Sequence, residues 1–297
     1  TEEMVQMPVV GFPELYQDAA DRQYGLALVK VHALPIARGA LDSAAEQDAP
    51  LVLGVNGDRL MDGLLPSLES MARQATSPLS LLGSRIENSE QAVLAIRLGC
   101  NALVLANSLD EAAAGELREL GASCGIPVYE HNELSGVLVE VDEELEPGKL
   151  GVLAQASWQQ LDASVAQAAA NLLDGVFSKQ GSAGQGSDAM KVCKPWHPVE
   201  HLIIYNTTVD DAKSAELAAE GRRVLDNIPG VRATWSGRAV KDDAGYRWCW
   251  LFRFAHAAVI DSYREHPDHV AYADNHFRPI AGDRVSIDYH LTGPEES

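Results

Sequence analysis

The sequence is poor in cysteine and contains no long apolar run. Its 297 residues include four cysteines, scattered along the chain without a CxxC pair. This usage predicts free thiols in a reducing, cytoplasmic environment rather than a disulfide scaffold. No stretch of about 18 uncharged apolar residues is present, so we expect no transmembrane helix. The opening segment "TEEMVQMPVV" lacks an apolar h-region, so we expect no secretory signal in it.

Positive charge is also scarce. The chain has 23 Lys and Arg against 43 Asp and Glu, which gives a net charge of -20 at pH 7. An acidic surface of this kind is repelled by nucleic acids and by anionic membranes. We therefore expect neither a nucleic acid nor a membrane as a partner.

Common cofactor motifs are missing as well. The sequence has neither a GxGxxG fingerprint nor a P-loop, and the glycine-rich "GSAGQG" follows no predicted strand. An HExxH zinc motif is absent too. We therefore expect the protein to use no cofactor and no metal ion.

The sequence itself divides into two halves. The stretch "SKQGSAGQGSDAMK", residues 178–191, is rich in Gly, Ser and Gln, which is typical of a flexible linker. We predict a first domain at 1–177, a linker at 178–196 and a second domain at 197–297. Hydrophobic residues make up 46% of the chain, which is enough for a core in each domain.

The first half alternates short apolar runs with amphipathic helical patterns. Such alternation predicts βαβ units and a parallel sheet covered by helices. The predicted helices are 35–47, 60–75, 87–98, 110–123 and 157–177, and the predicted strands are 26–31, 51–55, 79–82, 102–106, 126–130 and 136–141. Six strands fall short of the eight that close a TIM barrel.

The second half has a different order of elements. It reads strand, helix, two strands, helix and strand, which is the βαββαβ order of a ferredoxin-like unit. We predict helices at 209–228 and across "HAAVIDSYREHPDHVAYADNHFRPI", with strands at 199–207, 232–240, 246–254 and 283–291. Pro267 should break the second helix.

The second half resembles the stress-responsive dimeric α/β-barrel family, often called Dabb. The resemblance covers residues 197–297 and rests on "EHLIIY", on "IPGV" at 228–231 and on "SYREHPDHVAY" at 262–272. An aromatic-rich third strand lies between them. The resemblance implies an α+β fold in which two chains pair their sheets into a barrel. It therefore implies a homodimer or a higher homo-oligomer.

The first half, over residues 24–137, resembles the N-terminal part of class II fructose-bisphosphate aldolases. The similar segments begin at "YGLALVKVHALP", "SPLSLLGSRIEN" and "GIPVYEHNELSGV". This resemblance implies an α/β fold, a partial TIM-type (β/α) barrel. Ser84 and Arg85 stand where that family has its catalytic aspartate and a metal-binding histidine. We therefore expect the class II aldolase mechanism to be lost.

The stretch "YREHPDHVAYADNHF", residues 263–277, holds three histidines and two tyrosines. From the residues alone, three interpretations stay open. His266 and His269 could share a metal ion. They could instead cap and pack a helix, or one could transfer protons near neutral pH. His276 reads as a partly exposed histidine.

The Dabb resemblance favours proton transfer. In a plant polyketide cyclase of this fold, a histidine at the HP-x-H position and a tyrosine a turn earlier form the active pair. The matching positions are His269 and Tyr263, and a first-strand histidine of that cyclase matches His201. Its third-strand histidine corresponds to Trp248, so the resemblance does not carry the cyclase activity over.

Two further residues of this half are substrate-binding candidates with His201. Tyr205 shares its strand face by the period-2 rule, and the two would either line a pocket or pack in the core. Trp248 would add an aromatic wall suited to a planar or apolar ligand, or it would pack in the core.

Lys30 and Glu130 are the substrate-binding candidates of the first half. Lys30 lies inside the apolar run "LALVKVH". It is either a Schiff-base amine or an ammonium group paired with a carboxylate such as Glu130 or Glu133. Glu130 follows a strand, and ligands of α/β sheets bind at that end.

Two hypotheses about function follow. The first is a metal-independent lyase- or cyclase-type enzyme that acts on a small carbonyl compound, with His269 as the acid or base and Tyr263 as its partner. The second is a non-catalytic scaffold or binding protein, built from a degenerate aldolase domain and a dimerising Dabb domain.

Overall fold

The computed structural model describes residues 8–141 and 158–291. The described residues divide into two compact units. The second unit comprises Ala122–Gly125 and the described residues from His197 onward, and the first unit comprises the rest. Within the described residues, no helix is both long enough and apolar enough to cross a lipid bilayer.

The first unit is built on a sheet of six parallel strands. They are β1 Leu26–Lys30, β2 Leu51–Asn56, β3 Leu79–Ile86, β4 Ala102–Leu105, β5 Val128–Tyr129 and β6 Leu138–Val141. Their spatial order is β5-β4-β3-β2-β1-β6, and the sheet curls into a half-barrel. The predicted partial (β/α) barrel is confirmed.

Helices connect these strands and follow them. They are α1 Phe12–Arg22, α2 Leu34–Glu46, α3 Leu64–Arg73, α4 Ser89–Arg97, α5 Glu111–Cys124, α6 Trp158–Gln180 and α7 Gly186–Val192. Short 3-10 helices occur at Gly57–Asp62 and His131–Leu134. The sequence patterns predict α2 to α6, whereas α1 and α7 are additional.

α1 covers one face of the half-barrel sheet. Pro13 in its first turn suits a helix start, because the missing N–H would have had no intrahelical partner. Phe12, Leu15 and Ala19 lie on one side of α1 and are fully buried. They share a core cluster with strand residues Leu26, Leu28, Val52, Leu82, Ala102 and Val104.

The segment 178–196 differs from the predicted flexible linker. It contains the end of α6 and all of α7. The amides of Gly184 and Gly186 donate hydrogen bonds to the carbonyl oxygens of Gln47 and Asp48, at 2.8 and 2.6 Å. These tertiary contacts hold a stretch whose composition alone favours flexibility.

The second unit has the βαββαβ order. Its elements are β7 Val199–Thr207, α8 Asp211–Leu225, β8 Val231–Arg238, β9 Trp248–Phe254, α9 Val259–Glu265, α10 Pro267–Tyr272, a π-helical turn Ala273–Phe277 and β10 Ala281–Tyr289. The strands form an antiparallel sheet in the order β10-β7-β9-β8. The predicted ferredoxin-like domain is confirmed, and its second helix is broken at Pro267 as expected.

The two faces of this sheet differ in what packs against them. One face carries the buried side chains of Trp248, Trp250, Phe252 and Phe254, against which the tyrosines of α9 and α10 pack. On the other face, four large apolar side chains are 36 to 44% exposed, namely Trp235, Val285, Ile287 and Tyr289. This second face is called the open sheet face below.

Candidate active site

A proline divides the segment that carries the candidate histidines. Pro267 is the first residue of α10, where its missing N–H sacrifices no hydrogen bond. His266 caps this helix, because its Nδ1 accepts a hydrogen bond from the backbone N–H of Asp268 at 3.3 Å. Across the break, the rings of Tyr263 and His269 lie against each other with centroids 4.4 Å apart.

These two rings line a cavity of about 300 Å³ between the sheet and the helices of the second unit. β7, β9 and β10 supply one wall, and α9, α10 and the π-helical turn supply the other. The lining residues are His201, Ile203, Phe254, Ile260, Tyr263, Arg264, His269, Ala273, Phe277, Arg278, Arg284, Ser286 and Asp288. The structure therefore brings His269, Tyr263 and His201 together.

His269 is held as a neutral imidazole. Its Nδ1 lies 3.0 Å from the carbonyl oxygen of Arg264. A carbonyl oxygen only accepts, so Nδ1 carries the proton and the lone pair is on Nε2. Burial lowers the pKa of His269, and the charges of Arg278, His201 and His266 lower it further, whereas the backbone hydrogen bond raises it. A neutral imidazole with a free lone pair can act as a general base.

Tyr263 is held as a neutral phenol. Its side chain is only 4% exposed. Burial raises the pKa of Tyr263 well above its ordinary value, and the neighbouring Tyr272 and Asp226 raise it further. Tyr263 therefore keeps its proton at neutral pH and can donate a hydrogen bond to an acceptor in the cavity.

His201 is fixed by the register between β7 and β10. The two strands place His201 opposite Asp288, and the imidazole Nδ1 lies 2.6 Å from a carboxylate oxygen of Asp288. On the other side of the ring, Nε2 is 3.5 Å from the hydroxyl oxygen of Ser286. The ring also stacks on Phe254, with centroids 5.7 Å apart. His201 is thus a second oriented imidazole in the cavity wall.

The cavity also contains arginines that the sequence analysis did not single out. Arg264, Arg278 and Arg284 all line it. Arg264 pairs with Asp261 at 2.6 Å, and Arg278 pairs with Asp274. Arg264 directly follows Tyr263 in the chain, so the sequence could have identified it as a candidate site residue. The cavity lining therefore includes three guanidinium groups, two of which are paired with aspartates.

Tyr205 and Trp248 do not line this cavity. They lie on the same sheet face as His201, as the alternation predicts, and are paired across β7 and β9. Both are buried, and Phe277 packs edge-on against Tyr205 with centroids 5.0 Å apart. They belong to the core of the second unit, which was the alternative to a place in the pocket wall.

Lys30 and Glu130 lie in the first unit and have different partners. Lys30 is 3% exposed, and its Nζ lies 3.3 Å from a carboxylate oxygen of Glu140. Glu140 was not among the predicted partners, and it approaches Lys30 because β6 docks beside β1. Glu130 forms an ion pair with Arg118 and a capping box with Glu133.

The fold and cavity of the second unit define a ferredoxin-like α+β domain with an aromatic- and histidine-lined pocket. Residues 199–291 match the family model described as Stress responsive A/B Barrel Domain, or Dabb. This part of the chain is therefore a Dabb domain. No curated protein matches the chain.

Solved structures resemble each unit. The YdjI aldolase from Escherichia coli K12 is 15% identical, with a TM-score of 0.54, and the match covers 60% of this chain and 99% of that one. A Dabb family protein with a ferredoxin-like fold from Mesorhizobium loti is 22% identical over 32% of this chain and 98% of that one, with a TM-score of 0.30. A dimeric ferredoxin-like protein of unknown function from Thermobifida fusca is 21% identical over 32% and 91%, with a TM-score of 0.29. The first of these similarities establishes the aldolase-like fold of the half-barrel unit.

Over residues 8–141 and 158–291, no group of three or more His, Cys, Asp and Glu side chains is arranged to hold a metal ion. Ser84, one of the two residues compared with aldolase site positions in the sequence, is buried, and Arg85, the other, lines a separate cavity of the first unit.

Proposed function

We propose that the protein is a metal-independent enzyme of the lyase or cyclase type, acting on a small carbonyl compound in the cavity of its Dabb domain. The observation that carries this proposal is the contact between a neutral imidazole, His269, and a neutral phenol, Tyr263, in the wall of one cavity. A base and a hydrogen-bond donor side by side are the groups that enolisation requires.

In the proposed reaction, Nε2 of His269 removes a proton from the carbon next to the substrate carbonyl. The phenol of Tyr263 donates a hydrogen bond to the carbonyl oxygen as negative charge develops on it. The enolate then expels a leaving group, as in a lyase, or attacks a second carbonyl of the same molecule, as in a cyclase. The imidazolium returns its proton to the leaving group or to the new alkoxide.

The lining of the cavity supports a substrate with an apolar or planar body and an anionic or strongly polar end. Phe254 and Tyr263 supply the aromatic surface. Arg264, Arg278 and Arg284 supply positive charge for a carboxylate or an enolate oxygen. His201, oriented by Asp288, would hold a substrate oxygen by a hydrogen bond.

A homodimer is part of the proposal. The open sheet face carries a row of apolar side chains that cross the strands in register, Ile287, Leu202, Leu251 and Trp235. Exposed apolar surface of this kind is typical of an interaction site. A second copy of the chain, laid face to face on this sheet, would bury that row and complete the barrel for which the family is described.

We also propose a reducing, cytoplasmic location. All four cysteines are free thiols. Burial raises the pKa of Cys193 to about 12, with Asp18 and Glu14 contributing, and burial also raises the pKa of Cys124. Thiols of this kind form few thiolates, so they are poorly suited to disulfide exchange.

The test of the catalytic proposal is proton exchange at carbon. A panel of 2-oxo acids and β-dicarbonyl compounds is incubated with the protein in D₂O, and loss of the α-proton signal is followed by NMR. We expect catalysed exchange with at least one compound. His269→Asn should reduce its rate by about 10²- to 10⁴-fold, the usual contribution of a positioned general base.

Two variants make this test specific. Tyr263→Phe keeps the buried ring and removes only the hydroxyl, so exchange should slow while the circular dichroism spectrum stays the same. His276→Asn removes a histidine outside the cavity lining and should leave the rate unchanged. Full exchange activity in folded His269→Asn protein would refute the role given to that residue.

A scaffold without catalytic activity is the second candidate. It is favoured by Ser84 and Arg85, which occupy the positions of the aldolase aspartate and a metal-binding histidine. Native mass spectrometry of untagged protein from its source separates the two proposals. A dimer that retains a small organic molecule supports the enzyme, whereas a ligand-free complex with another protein supports the scaffold.

A further inference from the structure

The first unit contains a second cavity, which the proposed function does not use. It measures about 400 Å³ and lies at the carboxyl ends of β1, β3 and β4. Its polar lining comprises Lys30, Arg85, Glu87, Asn107, Ser108, His131 and Glu140. The carboxyl ends of parallel strands are the usual position of ligand sites in open α/β sheets and (β/α) barrels.

Lys30 is the buried amine of this cavity. Its Nζ is 3.3 Å from Oε1 of Glu140, and Nδ1 of His131 is 3.5 Å from the same oxygen. One carboxylate oxygen therefore connects a primary amine with an imidazole. Such a carboxylate can take the proton of the ammonium group, and the imidazole can pass a proton between the carboxylate and solvent.

A buried hydroxyl without a hydrogen-bond partner lies near the side chain of Lys30. Ser84 is 1% exposed, and its Oγ has no hydrogen-bond partner among the described residues. A Cβ atom placed on Gly54 would lie 2.8 Å from Cδ1 of Leu28, 3.1 Å from this Oγ and 3.5 Å from Cδ of Lys30. The glycine thus lets these side chains pack closely over the strand. Buried hydroxyls are nearly always hydrogen-bonded, so the Oγ of Ser84 is an unsatisfied polar group close to the side chain of Lys30.

Arg85 adds positive charge to the cavity lining. Its φ is +52°, a left-handed conformation that a residue with a long side chain seldom adopts. This turn of the backbone occurs near the end of β3, and Arg85 reaches the cavity lining together with Lys30. Guanidinium groups bind carboxylates and phosphates in a bidentate manner, which selects an anionic ligand.

We infer that this cavity is a site for a small anionic oxo compound, whose carbonyl carbon forms an imine with Nζ of Lys30. The ammonium proton of Lys30 passes to Glu140, and the free amine adds to the carbonyl to give a carbinolamine. Protonation of its hydroxyl, by way of Glu140 and His131, releases one water molecule and leaves the C=N bond. No oxidant, reductant or metal ion takes part in this step.

Borohydride trapping tests the imine. The protein is incubated with pyruvate or glyoxylate, reduced with sodium borohydride and digested, and the modified peptides are identified by mass spectrometry. We expect one saturable adduct per chain, on the peptide that contains Lys30. Lys30→Arg keeps the positive charge opposite Glu140 but cannot form the adduct, so labelling should be lost while the fold is retained.

Matched variants distinguish specific labelling of Lys30 from nonspecific labelling of exposed lysines. Lys213→Arg, which changes an exposed lysine of α8, should be labelled to the same extent as the unaltered protein. Arg85→Gln should weaken labelling by pyruvate several-fold and leave labelling by neutral acetone unchanged. His269→Asn should also label normally, because this site lies in the other unit, so the two proposals can fail separately.

Two outcomes would overturn the inference. One is labelling spread over the exposed lysines without preference for Lys30. The other is pyruvate labelling of the Lys30→Arg variant equal to that of the unaltered protein. A saturable Lys30 adduct that forms equally with acetone and pyruvate, both in the unaltered protein and in the Arg85→Gln variant, would reject the anionic part of the ligand.

Discussion

His269 is kept in its neutral, basic form by groups that lie at different distances from it along the chain. The carbonyl of Arg264, five residues earlier, fixes the proton on Nδ1. His201 and Arg278 lower its pKa through their charge, and burial against the sheet lowers it most. An imidazole whose charged form is disfavoured in the folded state must also affect stability as pH changes.

The pKa of His269 is lower in the folded protein than the value of about 6.5 in an unfolded chain. Between these two values the unfolded state binds more protons, so the free energy of unfolding falls as the pH falls through this window. We expect His269→Gln to flatten this part of the pH dependence. The measurement is urea unfolding between about pH 5 and pH 7, followed by tryptophan fluorescence.

His276→Gln is the matched control, since it removes a histidine of the same segment whose ring stacks on Tyr272 outside the cavity lining. Its pH profile should keep the slope of the unaltered protein. An unchanged slope in His269→Gln would contradict the lowered pKa of His269 in the folded protein.

The sequence identifies part of this site and misses the rest for a physical reason. Tyr263, His266 and His269 are close in the chain, so one motif reveals all of them. Asp288 meets His201 only through strand pairing between β7 and β10. Register between distant strands is set by the whole fold, and no local pattern in either strand specifies it.

At the scale of elements, close helix packing in the first unit depends on a glycine. Gly39 lies within α2, and a Cβ atom at this position would be 2.1 Å from the carbonyl oxygen of Ala166 in α6. Backbone cannot move aside as a flexible side chain can. This pair of helices therefore tolerates no side chain at position 39.

Gly39→Ala should destabilise the protein by about 1–3 kcal/mol, the usual cost of overpacking. Gly115→Ala is the matched control within α5, because a Cβ atom there would meet nothing within 4 Å. It should stabilise the protein by about 0.5–1 kcal/mol through the higher helix propensity of alanine. Thermal and urea unfolding of both variants give the comparison. Equal stability of the two would contradict the close approach of α2 and α6.

Elements were predictable where hydrophobic periodicity is strong. The strands of both units coincide with apolar or alternating runs. α8 was predictable because acidic residues lie in its first turn and basic residues in its last turn. α7 has no such pattern. It is held by hydrogen bonds that the backbone amides of Gly186 and Ser187 donate to Asp48, and a tertiary contact of this kind cannot be inferred from local composition.

At the scale of the whole molecule, the proposed homodimer depends on the open sheet face. Among its charged groups, Glu200 is buried and pairs with Arg253 at 2.5 Å. Arg253 also lies over the ring of Trp235, 5.7 Å from its centroid. Covering this face with a second copy would bury the apolar row and shield this pair from water.

Ile287→Glu would place a charge within the apolar row and should convert a dimer into a monomer. Val240→Glu is the control, because Val240 is 98% exposed in the segment between β8 and β9. Sedimentation velocity or light scattering gives the mass of each. A dimer that persists unchanged in Ile287→Glu would exclude the open sheet face as the interface.

The docking of β6 beside β1 has a consequence for the folding kinetics. Neighbouring strands β1 to β5 pair across a single intervening connection, whereas Leu138 of β6 pairs with Leu26, far back in the chain. Closing so large a loop is slow, because its entropy is lost before the contacts form. β6 is therefore expected to pair late in refolding, after the other strands of its sheet. Since Glu140 arrives with β6, Lys30 acquires this partner late as well.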